Sequence, residues 1–365
     1  MSDFGVIPLR AVHNVSGKSR FLLTLLIVSL FSCASAPEKS VPAGAVEGPV
    51  WRPVPGENGP AEGLLLAEKV RSRGIADAAG PRLEWWALRA DLTNENIQIR
   101  IGPLPGESSA FKTRRQAAET DDRAVLAVKV SRFAGEYGCA AAINANPFEI
   151  LRGKSQMFIR EGDPQIPVGL VVSEGVLAAP PNPRYDALVF YAAENGAVLP
   201  GEPSPGSMAL AGRAAIVSQD FAGTGGPDGP GFSTGNRRIE NAAGGFYKIL
   251  EDGEPTAQAL SQRGAARHPR SAAGISADGR YLYLLVIDGR RPGSAGATEL
   301  ETALILKELG AAEALCFDGG GSSALALRQT NGSIRLLNKP VHGGIPGRER
   351  AVAVCLGIVM RSVTY

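Results

Sequence analysis

From about Leu64 onward, apolar residues come in short blocks separated by Gly, Pro and Asn, the rhythm of many brief strands and few helices. The longest block, Tyr281 to Ile287 (YLYLLVI), predicts a buried strand that runs straight into Asp288-Gly289-Arg290. Arg82–Asp91 and Ile97–Ile101 alternate around Asn94-Glu95-Asn96, predicting a strand pair. Further strands are predicted at Cys139–Asn144, Val168–Val172, Ala187–Tyr191, Ala214–Ser218 and Ala314–Phe317. Helical periodicity stands out twice. Asp121 to Tyr137 is stopped by Gly138, and Thr298-Glu299-Leu300-Glu301 opens a helix as a capping box, with Gly310 as its stop. Leu300, Ala303, Leu304 and Leu309 supply the apolar face of that second helix. Strand, helix, strand in this order predicts a crossover with Tyr281–Ile287 and Ala314–Phe317 parallel and with Asp288 and Asp318 on one edge. Such edges are where sheets of this kind place ligands.

The amino-terminal pattern differs. Lys18 and Arg20 precede the apolar run Phe21 to Phe31, then Ser32 and Cys33, which reads as an export signal too short to span a bilayer of ~30 Å. Leu30-Phe31-Ser32-Cys33 resembles a lipobox, so residues 1–33 are expected to be a signal ending in a lipidated Cys33, with a cleaved signal without lipid as the alternative. That places the protein, exported and lipid-anchored, on the periplasmic or surface face of a bacterial envelope. Residues 34–63 carry six prolines and no apolar period, predicting a semi-extended tether. No repeat or second Pro-rich linker follows, so residues 64–365 are expected to form one elaborate domain.

Charge and composition then narrow the chemistry. Lys and Arg number 38 against 36 Asp and Glu, and without residues 1–32 the chain carries 35 of each. A balanced chain lacks the clustered positive charge that grips nucleic acid. Three histidines exclude a multi-histidine zinc site, and no ligand spacing demands a metal or other cofactor. A divalent cation near Asp288 or Asp318 is compatible with the residues but not required by them. Cys139, Cys316 and Cys355 lie in apolar runs, as small core fillers.

Asp318 precedes Gly319-Gly320-Gly321-Ser322-Ser323, where missing Cβ atoms let backbone N–H groups approach an anion. A tight turn is the plain alternative. Arg152-Gly153-Lys154-Ser155 ends like a P-loop, but Phe148 stands where that loop needs glycine. Arg270, Arg348 and Arg350 offer guanidinium forks suited to phosphate. Glu301 is a helix cap or a carboxylate at the site, Asp288 a turn former or a second carboxylate, and His342 faces substrate or solvent.

These residues in this order resemble the phosphodiester glycosidase domain family. The resemblance rests on His268-Pro269-Arg270-Ser271, Gly274, Asp288-Gly289-Arg290, Gly296, Glu301, Asp318 to Ser323, Asn338-Lys339-Pro340 and Arg348-Glu349-Arg350, with Gly244-Gly245-Phe246 upstream of them. Ile143-Asn144-Ala145-Asn146-Pro147-Phe148 departs from it, Ala145 and Asn146 replacing paired glycines. Cys316 is a second departure, standing where asparagine is common. The resemblance spans about Ala140 to Ile358. It implies an α+β (α/β) fold with a mixed β-sheet core, and hydrolysis of a sugar-1-phosphodiester to sugar and phosphomonoester. On this reading Asp318 attacks or activates water, with Asp288 or Glu301 as partner carboxyl. Arg270 and Arg350, with Arg348 nearby, hold the phosphate. Gly319, Gly320, Gly321 and Ser322 complete the nest, and Asn144 orients sugar hydroxyls. Two other readings remain: a surface lipoprotein that binds glycan phosphodiesters without cleaving them, and a phosphodiesterase that cuts P–O with metal help.

Overall fold

In a computed structural model, the run Tyr281–Ile287 forms a strand near the middle of an eight-stranded sheet, and its side chains divide between two cores. Leu282, Leu284 and Val286 enter one core; Tyr283, Leu285 and Ile287 enter the other. Burial on both faces is why this strand is apolar without alternation. The structure describes residues 50–361 apart from 57–58, 74–80, 104–123, 151–158, 193–212, 220–232 and 235–236. The leader, Cys33 and Arg152 to Ser155 lie outside the described residues. Residues Glu47–Tyr365 form one compact unit.

In the eight-stranded sheet Trp51–Gly56 is followed by Gly59–Arg73, Arg82–Asp91, Tyr281–Ile287, Arg270–Ile275, Glu313–Cys316, Lys248–Glu251 and Glu254–Pro255. One face packs against helices α2 (Ala257–Ser261) and α3 (Glu299–Leu309), through Ala259, Ala303, Leu306 and Leu309. The other meets a five-stranded sheet built around Cys139–Asn144 and Cys355–Met360, and a six-stranded sheet around Asp186–Tyr191 and Arg237–Gly244. Helix α1 (Val130–Glu136) covers the far side of the five-stranded sheet through Phe133 and Ala134. The result is the β-rich α+β fold expected, with three α-helices among the described residues.

Several local expectations are corrected. Where the resemblance implies mixed pairing, every ladder between the described strands is antiparallel. Tyr281–Ile287 and Glu313–Cys316 are parallel only across an intervening strand, Arg270–Ile275, which pairs antiparallel with both. The edge prediction holds all the same: Ile287 and Cys316 both end beside the start of Arg270–Ile275. Arg82–Asp91 and Ile97–Gly102 do not pair. The Asp91 and Asn94 side chains each accept a backbone N–H two residues on, and this corner sends the strands into different sheets.

Helix α1 begins at Val130, because Val125–Leu126 pairs with Pro164–Pro167 and Val128 bridges Val352. The strand expected at Val168–Val172 is displaced to Val171–Ser173. Part of the expected tether is also strand. Trp51–Gly56 takes an outer position in the eight-stranded sheet, where Pro53 and Pro55 cost no interior ladder bond. The three cysteines are buried and free, and burial pushes the Cys139 and Cys316 thiols up to about 12 and about 11.

Candidate active site

The edge where Tyr281–Ile287 and Glu313–Cys316 end is knitted by Asn144 at the end of its own strand. Its Nδ2 donates to the Asp318 carbonyl at 2.6 Å, and its Oδ1 accepts from Ser271 Oγ at 2.7 Å and Ala324 N at 3.2 Å. Asp318 N–H in turn donates to Ala145 O at 2.9 Å. Asn144 is fully buried and all its bonds are internal, so it fixes the Asp318 turn and is not placed to orient sugar hydroxyls.

Asp318 itself, 17% exposed, lines a cleft of about 450 Å³. Its Oδ2 accepts from Arg350 Nη2 at 2.9 Å and from Ser322 Oγ, and the same Nη2 also donates to Ser322 Oγ. Arg350 is buried beneath the Phe148 ring, its guanidinium carbon 5.2 Å from the ring centroid. Burial pushes the Asp318 carboxyl above its ordinary range, and Arg350, Ser322 and the Gly319 amide oppose that push.

The glycine turn serves shape more than anion capture. Gly320 N–H donates to Pro269 O at 2.8 Å, Ser322 and Ser323 N–H close a short 3₁₀ turn, and Gly319 N–H faces the Asp318 carboxylate. Three of the four amides expected to form a nest, those of Gly319, Gly320 and Ser322, are therefore used internally. Glycine is favoured at 320 because φ is 62°, and its missing Cβ leaves the Arg290 guanidinium room to lie beside the turn.

Arg290 is the unanticipated partner. It holds φ at 58°, uncommon for a residue with a side chain, and it lines the cleft beside Gly320. The loop is clamped around it: Asp288 accepts from Arg291 Nε at 3.0 Å, Asn338 Nδ2 at 3.1 Å and Lys339 N at 3.0 Å, while Arg291 also binds Glu84. Asp288, 1% exposed, is thus a structural clamp outside the cleft lining, although burial pushes its carboxyl up. His268 Nδ1 lies 3.4 Å from Arg290 Nη2; burial with Arg290 and Arg270 holds its pKa down, so it stays neutral and can accept there.

The remaining candidates separate. Glu301 is the capping residue: it accepts Thr298 N–H at 2.9 Å, and Arg267 Nη2 at 2.7 Å occupies its other oxygen. Arg270 starts its strand beside the turn, but its guanidinium donates to Ala297 O at 3.0 Å and meets Glu299 at 3.5 Å, away from the cleft lining. Arg348 lines a different cavity.

Loops from the other sheets supply what sequence reasoning missed. Buried Gln219 accepts Asn182 N–H at 2.9 Å and donates to Asp186 O at 2.8 Å, pinning the turn that carries Arg184 and Tyr185 onto the cleft. Phe246 follows Gly245 along the end of Glu313–Cys316 and meets Tyr185 edge-on at 5.5 Å. Glu149 is, with Asp318, one of two carboxylates on the lining. Its signal in the sequence was only its place after Phe148. Among the described residues no group of three or more His, Cys, Asp or Glu side chains converges on a metal position.

A cleft with a largely enclosed Asp–Arg pair, two cationic walls and aromatic sides suits an anionic ligand. Residues 137–359 match the family model described as phosphodiester glycosidase. The chain belongs to that family. Its fold is similar to the zebrafish N-acetylglucosamine-1-phosphodiester α-N-acetylglucosaminidase catalytic domain, solved auto-inhibited by pro-peptide. That match has a TM-score of 0.52 and 16% identity, over 86% of this chain and 89% of that one. A hypothetical protein from Synechocystis matches with a TM-score of 0.48 and 18% identity over 82% of this chain, which spans 62% of that protein's length. No curated protein matches the chain in sequence.

Proposed function

We propose that this phosphodiester glycosidase family member hydrolyses the anomeric C–O bond of a sugar-1-phosphodiester, yielding free sugar and a phosphomonoester. The observation that carries the reading is one cleft lined by the Asp318 carboxylate and by the Arg184, Arg290 and Arg350 guanidiniums. Arg184 and Arg290 take the phosphate oxygens, while Arg350 stays on Asp318 and orients it. Asp318 acts at the anomeric carbon, either attacking it or taking a proton from the attacking water. The C–O pair leaves with the phosphate oxygen, which is stable as an anion, so neutralising its charge matters more than protonating it. Glu149 is the partner carboxyl on this wall. The leader from Lys18 to Cys33 supports an exported, lipid-anchored protein acting on envelope or extracellular glycan phosphodiesters.

The test is a screen of the purified protein against sugar-1-phosphodiesters in oxygen-18 water. Label is expected in the sugar, and label in the phosphate would mean P–O cleavage. Asp318→Asn should lower turnover by roughly 10² to 10⁴-fold with an unchanged circular dichroism spectrum. Saturable binding without product release would instead favour a glycan-binding module.

A further inference from the structure

Arg348-Glu349-Arg350 sends three side chains to three places. Arg350 goes to the cleft. Glu349 accepts Ser131 N–H at 2.9 Å and Ser131 Oγ at 2.6 Å, anchoring the segment at the start of α1. Arg348 lines a second cavity, about 650 Å³, together with Arg160, Lys129, His342 and the carboxylates Glu161 and Glu349. Lys129 is shared with Glu161 at 3.3 Å, and the Glu349 carboxylate is occupied by Ser131. The exposed guanidiniums of Arg160 and Arg348 have no acidic partner among the described residues. The cavity therefore presents two uncommitted forks suited to an oxyanion.

This cavity and the cleft are neighbours. His342 lines the cavity, and its Nδ1 is 3.3 Å from where a Cβ on Gly321 would stand, while Gly321 lines the cleft. Phe148 of the cleft and Ile159 of the cavity pack on the same small cluster with Ala127 and Ala351. The partition is about one side chain thick.

We propose that the second cavity binds a further oxyanion of the same substrate, so that the substrate is an oligomer with more than one phosphodiester or equivalent anionic link. This rests on reading the cleft as the hydrolytic site. Hydrolysis should be measured with sugar-1-phosphodiesters of one, two and three links, alongside calorimetric titration with inorganic phosphate. KM is expected to fall about tenfold from one link to two, as one added charge-assisted contact gives. Arg160→Ala with Arg348→Ala should remove that gain, leaving kcat and the single-link KM unchanged, and the paired Lys substitutions should keep much of it.

A KM independent of link number, or a gain surviving the double substitution, overturns the proposal. If free phosphate changes single-link turnover through Arg160 and Arg348 while link number has no effect, the ligand is the free ion and the substrate assignment falls. Should nothing be hydrolysed, the titration decides. A phosphate site lost in the double variant but kept in Arg290→Ala supports the cavity and removes the hydrolytic reading. Phosphate binding indifferent to the double substitution sinks the cavity itself.

Discussion

Asp318 sits between opposed influences: enclosure disfavours its charge, and Arg350 restores it. Its folded pKa lies above the ordinary value, so its contribution to stability is complete below the ordinary carboxylate range and is lost as pH rises through the raised value. Turnover has the reverse dependence, because the chemistry needs the anion. Arg350→Gln removes the opposing cation, and the acidic limb of kcat/KM should move up by roughly one to three pH units; an unmoved limb would dissociate Asp318 from the rate. At this scale Asp318 was legible because an acid before three glycines at a strand end is a rare local arrangement. Glu149, Arg184 and Arg290 were not. Each is an ordinary charged residue beside a turn, and only its neighbours in space distinguish it.

Single elements were the most readable level. Thr298, Glu301 and Gly310 bound α3 as their spacing predicts, with Gly310 left-handed. That same geometry takes Glu301 out of the chemistry. Glu301→Ala should cost about 1 to 2 kcal/mol in denaturant unfolding and leave kcat/KM unchanged, and a large loss of turnover at unaltered stability would return it to the site. Asp288 follows the same logic, since its buried ion network with Arg291 and Glu84 holds the loop that presents Arg290. Where elements were misjudged, the competing force was pairing. The proposed hairpin at Asp91 to Asn96 gave way to two separate sheets, and at Val125, Leu126 and Val128 the proposed first helix gave way to bridging with Pro164–Pro167 and Val352.

Across the whole molecule, the cleft exists because three sheets meet at one edge. Gly245 marks that junction: a Cβ there would stand 2.7 Å from Cys316 O and 2.6 Å from Leu315 Cγ, so the chain carrying Phe246 can lie against the end of Glu313–Cys316. Gly245→Ala should cost roughly 1 to 3 kcal/mol and, by moving Phe246, raise KM more than it lowers kcat. Thermal unfolding and steady-state kinetics on the same variant check both, and a neutral effect on each would show that the junction yields without strain.

Period, capping and turn chemistry act over about four residues, and that is why the apolar strands, the capped helix and the acid-glycine turn could be read directly from the chain. Which acid faces the cleft, which arginine pairs with it and which is spent elsewhere depend on contacts between segments far apart in order. Asp318 meets Arg350 across 32 residues and Asn144 across 174. Such contacts are selected by the packing of whole sheets, which no local window contains.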